Sequence, residues 1–114
     1  MDSVVYSLTP QEEKAVLAFK DRLLKEFGDR VVDLRLFGSR ARGEGDEESD
    51  LDLLVLLKDD AAPRRGRIFE IAADILLEHE IDVSPLAMTE GHFEELKRRE
   101  RLLPQEIERD GQRV

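Results

Sequence analysis

The chain contains no cysteine and no tryptophan, and aromatic side chains make up only 5% of its 114 residues. Without cysteine, neither a disulfide framework nor a zinc site built on thiolates is possible. The longest unbroken apolar runs, such as residues 53–57, are far below the ~20 residues that a membrane-spanning helix needs. The N-terminus lacks a basic start followed by an apolar segment, so no signal peptide is indicated. These absences predict a cytoplasmic protein that does not enter a membrane.

Positive charge is also scarce. The chain has 18 Lys and Arg against 27 Asp and Glu, which gives a formal net charge of −9. This balance argues against direct binding of nucleic acid, because phosphate backbones are held by clustered Lys and Arg. A small nucleotide bound together with a metal ion remains compatible, and so does a basic protein partner. Acidity that merely favours solubility explains the charge equally well.

The order of helix and strand patterns predicts one α/β (α+β) domain that covers residues 1–114. Thr9, Pro10 and Glu12 have the spacing of a capping box at the start of a first helix, with Glu12 expected in solvent. Strand patterns follow at residues 31–37, 51–57 and 81–84, the last with an extension to Leu86 as the alternative. Helices are expected after the second and third strands. Side chains expected to be buried are Val16, Phe19, Leu23 and Phe27 in the first helix, Val32, Leu34 and Leu36 in the first strand, and Ile68, Ile71, Ala72, Ile75 and Leu76 in the second helix.

A Gly-Ser pair, Gly38 and Ser39, directly follows the first strand pattern. Glycine permits a sharp turn and a close approach of the backbone to a ligand. Ser39 can open a short helix, whose free amides would face a phosphate or a carboxylate. Arg40 and Arg42 supply cations nearby. The segment therefore predicts a phosphate-binding turn.

Two aspartates, Asp50 and Asp52, open the second strand pattern. Residues two apart on a strand point to the same face. Two carboxylates about 5 Å apart repel by roughly 3 kcal/mol at an effective dielectric near 20. A divalent cation offsets this repulsion, and carboxylate oxygens are the protein ligands that Mg²⁺ prefers, alongside water and substrate phosphates. The pair predicts a phosphate-handling metal site.

Asp82 is the only charged residue within the third strand pattern. If the second and third strands are neighbours, Asp82 would join Asp50 and Asp52 in a cluster of three carboxylates. Such a cluster could hold two Mg²⁺ ions, which together stabilise the entering and leaving oxygens of an in-line displacement. Asp82 would then be a metal ligand or a general base. The alternative is a lone acid at a strand end that faces water.

Gly38-Ser39, ten intervening residues and Asp50-Leu51-Asp52 resemble the signature of the minimal nucleotidyltransferase (MNT) domains of the DNA polymerase β-like nucleotidyltransferase superfamily. Arg42-Gly43 and the third acid, Asp82, extend the match. The resemblance implies a mixed sheet flanked by helices, and the transfer of a nucleotidyl group from ATP, with Mg²⁺ and release of pyrophosphate. It further implies that Gly38 and Ser39 bind the triphosphate with help from Arg42, and that the three aspartates bind metal.

MNT proteins of this size are typically paired with a helical HEPN protein, often as antitoxin to an RNase toxin, and some transfer AMP to a tyrosine of that partner. The resemblance therefore implies a protein adenylyltransferase that silences a HEPN partner. Because the chain is too short to build an acceptor pocket alone, we expect another chain or a second copy to complete it. The alternatives are an antitoxin that acts by binding alone, and a nucleotidyltransferase for small molecules such as antibiotics.

Overall fold

The computed structural model of the protein describes residues 8–38, 40, 50–99 and 102–114. No helix within these ranges is both long and apolar enough to cross a membrane. Short 3₁₀ turns lie at Gly28–Arg30 and Asp59–Arg64. The helices and strands are α1 (Pro10–Phe27), β1 (Val31–Phe37), β2 (Leu51–Leu57), α2 (Gly66–His79), β3 (Val83–Thr89), α3 (Glu90–Arg98), α4 (Leu102–Asp110) and β4 (Gln112–Arg113).

The strands form a four-stranded mixed sheet in the order β3-β2-β1-β4. Strand β1 pairs antiparallel with both β2 and β4, whereas β2 pairs parallel with β3. Strand β2 therefore lies inside the sheet and is covered on both faces, which explains its nearly continuous apolar sequence. The mixed sheet flanked by helices confirms the predicted fold class.

The two faces of the sheet carry different helices. One cluster of buried side chains joins α1 and α2 to the face that presents Leu51, Leu53, Val55 and Leu57. A smaller cluster joins Leu54 to Met88 of β3, Phe93 of α3 and Ile107 of α4. Because side chains alternate along a strand, Asp52 belongs to the row of Leu54, on the face of α3 and α4.

Helix α1 begins as the sequence predicts. The Thr9 hydroxyl accepts a hydrogen bond from the Glu12 amide at 3.1 Å, and the Thr9 amide donates to the Glu12 carboxylate at 2.9 Å. This reciprocal arrangement satisfies two amides that would otherwise lack partners. The expectation that Glu12 lies in solvent is wrong, however, because only 4% of its surface is exposed.

Strand β3 begins at Val83 and ends at Thr89, so the predicted span of 81–84 is wrong at both ends. Its ladder with β2 pairs Leu51 with Val83 and continues to Leu57 and Thr89. The misleading signal was Pro85, which cannot donate a ladder hydrogen bond. Proline is tolerated here because β3 is at the edge of the sheet.

Two side chains expected in the core are instead partly exposed. Val32 is 42% exposed because the pairing of β1 with β2 shifts register between Val31 and Asp33. Leu76 is 44% exposed and lines a surface groove along α2. Strand β4 has only two residues, too few for a recognisable pattern, and pairs with Arg35 and Leu36.

Candidate active site

The turn after β1 lies against an acidic side chain of β2. Gly38 has φ +81°, a conformation that favours glycine. A Cβ added at this position would lie 2.5 Å from Oδ2 of Asp52, closer than any side chain can approach. The preceding residue, Phe37, is the ladder partner of Asp52. Gly38 thus brings the backbone of the turn directly against the Asp52 carboxylate.

Asp52 and Asp50 interact electrostatically. Asp52 is partly buried, whereas Asp50 is exposed at the start of β2. Burial raises the pKa of Asp52, and the negative charge of Asp50 raises it further. Within the described ranges, neither carboxylate forms an ion pair or a side-chain hydrogen bond. Among the residues that the structure describes, no cation therefore offsets the repulsion between these two acids.

Asp82 lies in the exposed segment just before β3. Its carbonyl oxygen accepts a hydrogen bond from the Leu51 amide at 3.4 Å, and the next two residues pair with Leu51 and Asp52. The second and third strands are therefore neighbours, which was the condition for Asp82 to join the other two acids. Among the residues that the structure describes, no three acidic or histidine side chains are close enough to hold one metal ion. The structure therefore does not bring Asp50, Asp52 and Asp82 together as one metal site, and their roles in metal binding stay predictions.

Ser39 and Arg42 lie outside the described residues, so their roles in phosphate binding also stay predictions. Arg40, between them, is described and is not available as a phosphate ligand. Only 2% of its surface is exposed. Its guanidinium donates to both carboxylate oxygens of Glu12, from Nη1 at 3.0 Å and from Nη2 at 2.5 Å.

This ion pair was missed by sequence reasoning. The two residues are 28 positions apart, and the capping-box spacing explains Glu12 without requiring burial. Burial by itself would raise the pKa of Glu12, but hydrogen bonds from Arg40 and Thr9 outweigh it and hold the pKa below its usual value. Glu12 is therefore the ionised partner of a buried cation.

Two concave surfaces border the candidate site. A cavity of about 300 Å³ lies between the turn and α4, and is lined by Phe37, Gly38, Leu103, Glu106 and Arg109. A groove of about 360 Å³ runs along α2 and borders both Asp50 and Asp82. A further cavity of about 280 Å³, between α1 and the β1–β4 edge, contains none of the predicted site residues.

The donor set of Asp50 and Asp52 fits Mg²⁺. This ion is usually bound by one or two carboxylates, with water and substrate phosphate oxygens completing its coordination. Two interacting carboxylates that have no cation partner in the described part of the chain provide the protein part of such a set. A cation would also offset the electrostatic repulsion that raises the pKa of Asp52.

The model of the nucleotidyltransferase domain family matches residues 17–112. This range includes both strands that carry Gly38, Asp50 and Asp52. The chain therefore belongs to the nucleotidyltransferase domain family.

Individual relatives from Methanocaldococcus jannaschii carry the name "Putative protein adenylyltransferase". MJ0141 is 43% identical over 65 residues, which are 56% of this chain and 63% of the relative. MJ1305 is 39% identical over 72 residues, 60% of this chain and 48% of the relative. MJ0604 is 30% identical over 82 residues, 72% of this chain and 78% of the relative. The matched stretch thus spans less than two-thirds of MJ0141 and MJ1305.

Among solved structures, the fold is similar to a chain in the crystal structure of a mutant of the toxin–antitoxin pair MntA–HpeT. The TM-score is 0.53, with 90% of this chain and 70% of that chain covered and 22% of residues identical. At this identity the similarity concerns the fold alone.

Proposed function

We propose that this protein is a Mg²⁺-dependent nucleotidyltransferase that transfers AMP from ATP to a tyrosine of a HEPN-type toxin. Membership of the family supports nucleotidyl transfer, and the name of the M. jannaschii relatives supports a protein acceptor. The pairing of MntA with HpeT supports a toxin as partner. The observation that carries the proposal is the contact of the Gly38 turn with Asp52.

The proposed reaction is the attack of an acceptor hydroxyl on the α-phosphorus of ATP. A bond forms between the hydroxyl oxygen and phosphorus, the bond from the α-phosphorus to the bridging oxygen breaks, and pyrophosphate leaves with that electron pair. Gly38, with Ser39 and Arg42, would bind the triphosphate, and the cavity beside Gly38 is the proposed place of the nucleoside. Bound Mg²⁺ would neutralise phosphate charge and favour deprotonation of the hydroxyl.

The acids of the chain have separate proposed roles. Asp50 and Asp52 would hold the metal close to the turn, since they interact with each other and pair with no cation of the described ranges. Asp82 would accept the proton of the hydroxyl or bind a second ion. Its exposed position beside the groove along α2 supports this role, because an acceptor bound in that groove would reach it from solvent.

The test is incubation of the protein with Mg²⁺, a HEPN-type protein and ATP labelled at the α-phosphate. We expect label on a tyrosine of the HEPN protein, and no label when Asp50 and Asp52 are both changed to asparagine or when EDTA is present. ATP labelled at the γ-phosphate should leave the partner unlabelled. Equal labelling by the double variant, or no labelling by the wild type, would overturn the proposal.

A second candidate is neutralisation of the toxin by binding alone. The observation that favours it is the exposed apolar surface of α2, where Phe69 is 51% and Leu77 80% exposed. Such side chains are typical of surfaces that contact another protein. A toxin that remains neutralised by the Asp50→Asn, Asp52→Asn variant would establish this function, whereas a toxin that recovers its activity would establish catalysis.

A further inference from the structure

The buried ion pair of Glu12 and Arg40 connects α1 to the turn that carries Gly38. On the α1 side, the Glu12 carboxylate is fixed by the helix cap, since its Oε1 accepts from both the Thr9 amide and Arg40 Nη2. On the other side, both terminal nitrogens of Arg40 face this carboxylate. The pair therefore fixes residue 40 relative to the first turn of α1.

Because Arg40 closely follows Gly38 in the chain, its ion pair with α1 also restrains the turn. Gly38 is fixed by its place at the end of β1 and by its contact with Asp52. Arg40 is two residues later, and consecutive Cα atoms are only about 3.8 Å apart. The fold therefore determines the positions of two residues of this turn, Gly38 and Arg40.

Stability alone does not explain a buried pair of this kind. Removing two charges from water costs about as much as their attraction returns, and well-packed apolar side chains are often equally stabilising. Nor does the pair contact a ligand directly, since both side chains are almost completely buried. An ion pair with two hydrogen bonds also fixes the relative position of the two groups that it joins.

We propose that Glu12 and Arg40 are positioning residues for the nucleotide-binding turn. The pair holds Arg40 in a fixed position relative to Gly38, beside which the triphosphate would bind, without touching the nucleotide. This inference rests on the proposed function for its ligand, a nucleoside triphosphate. It changes the role of Arg40 from a candidate phosphate ligand to an internal support.

The test compares Glu12→Gln, the double variant Glu12→Gln with Arg40→Met, and Thr9→Ala as matched control. Thr9→Ala weakens the same helix cap but keeps the ion pair, because the Thr9 amide and Glu12 remain. We expect the KM for ATP to rise on the order of 10-fold in both Glu12 variants, with kcat within about 3-fold of wild type, as expected when binding geometry rather than chemistry changes. Thr9→Ala should leave both constants unchanged.

The double variant separates positioning from folding. It contains no unpaired buried charge, so we expect it to fold even if Glu12→Gln alone does not. A double variant that folds and has the wild-type KM would overturn the proposal. So would a rise in KM for Thr9→Ala as large as that for the Glu12 variants, since the effect would then come from a loosened helix end.

Hydrogen exchange of the peptide that contains Gly38 and Arg40 tests the attachment without any nucleotide. We expect faster exchange in the double variant than in wild type, and wild-type exchange in Thr9→Ala. Unchanged exchange in the double variant would contradict the attachment. If the wild-type protein transfers no label, the proposed function fails, while this measurement still decides whether the ion pair holds the turn.

Discussion

Two groups of charged side chains lie near Gly38, and they differ in net charge. Glu12 and Arg40 are opposite charges, almost fully buried and joined by two hydrogen bonds. Asp50 and Asp52 are like charges, more exposed, and without an ion pair within the described part of the chain. The first group is complete within the protein. The second group has no counter-ion among the described residues, which is the property expected of a metal-binding site.

The largest expected effect is that of Asp52→Asn on activity. Removing this carboxylate should reduce nucleotidyl transfer by ~1,000-fold or more, equivalent to ~4 kcal/mol of transition-state stabilisation. The free energy of unfolding should be unchanged or higher near pH 7, because the repulsion from Asp50 is lost. Labelling rates and thermal denaturation of the variant measure the two effects.

The control for this variant is Asp29→Asn, which removes an exposed acid at the opposite end of β1 from the turn. It should retain wild-type activity and stability. If Asp52→Asn strongly destabilised the protein, the carboxylate would be shown to support the fold rather than a bound ion.

Gly38→Ala should have the next largest effect. The new Cβ would lie only 2.5 Å from Asp52 Oδ2. Alanine would also be forced into a positive φ, which costs roughly 1–3 kcal/mol. We expect transfer to fall about 100-fold, since small displacements at a reacting centre have effects of that size. Initial rates at saturating ATP, together with denaturant unfolding, measure both effects.

Two glycines serve as controls for Gly38→Ala. Gly28 also has a positive φ but open space around it, so Gly28→Ala should cost stability without reducing kcat. Gly66 has open space and no positive φ, so Gly66→Ala should change neither. Loss of activity in Gly28→Ala equal to that in Gly38→Ala would mean that strain, not contact with Asp52, explains the effect.

Single and double substitutions of the Glu12–Arg40 ion pair should have different effects on the free energy of unfolding. Glu12→Gln leaves a buried guanidinium without its counter-ion, which typically costs about 3–5 kcal/mol of unfolding free energy. Adding Arg40→Met should recover most of that loss. Urea unfolding of the wild type, both single variants and the double variant gives the coupling energy. A coupling energy near zero would show that the two charges do not depend on each other.

The smallest expected effects are on the pH dependence of stability, and those of Glu12 and Asp52 have opposite signs. The pKa of Glu12 is lowered on folding, so its contribution is present above its unfolded pKa and is lost as pH falls through its folded pKa. The pKa of Asp52 is raised on folding, so its contribution is present at acid pH and is lost as pH rises through its folded pKa. Unfolding curves between pH 3 and pH 7 for wild type, Glu12→Gln and Asp52→Asn measure both.

Relative to wild type, Asp52→Asn should therefore gain stability as pH rises, and Glu12→Gln should lose it. Added Mg²⁺ should reduce the difference between wild type and Asp52→Asn near pH 7, because the ion offsets the repulsion. The same pH dependence in both variants would contradict the contrast between the two groups.

Those parts of the molecule that depend on local spacing could be predicted from the sequence. The capping box of Thr9 and Glu12 is a three-residue pattern, and the strand that carries Asp52 is identified by its apolar run. The turn at Gly38 follows from glycine after a strand. The three-acid hypothesis required the second and third strands to be neighbours, and the structure meets that condition.

Those parts that depend on packing between distant segments could not be predicted. Nothing in the spacing of Glu12 and Arg40 shows that one helix end and one turn meet. The register shift that exposes Val32 and the edge position that admits Pro85 are properties of the assembled sheet. The same holds for Asp82, whose neighbours are known but whose part in metal binding stays a prediction.

The central claim is that Asp50 and Asp52 form an incomplete charge group that Mg²⁺ and a nucleotide complete. Calorimetric titration of the protein with ATP, once in the presence of Mg²⁺ and once in the presence of EDTA, tests this claim most directly. We expect wild type to bind ATP only when Mg²⁺ is present, and the Asp50→Asn, Asp52→Asn variant to fold normally but bind none in either condition. Equal binding of ATP by wild type in EDTA, or by the double variant with Mg²⁺, would contradict the claim.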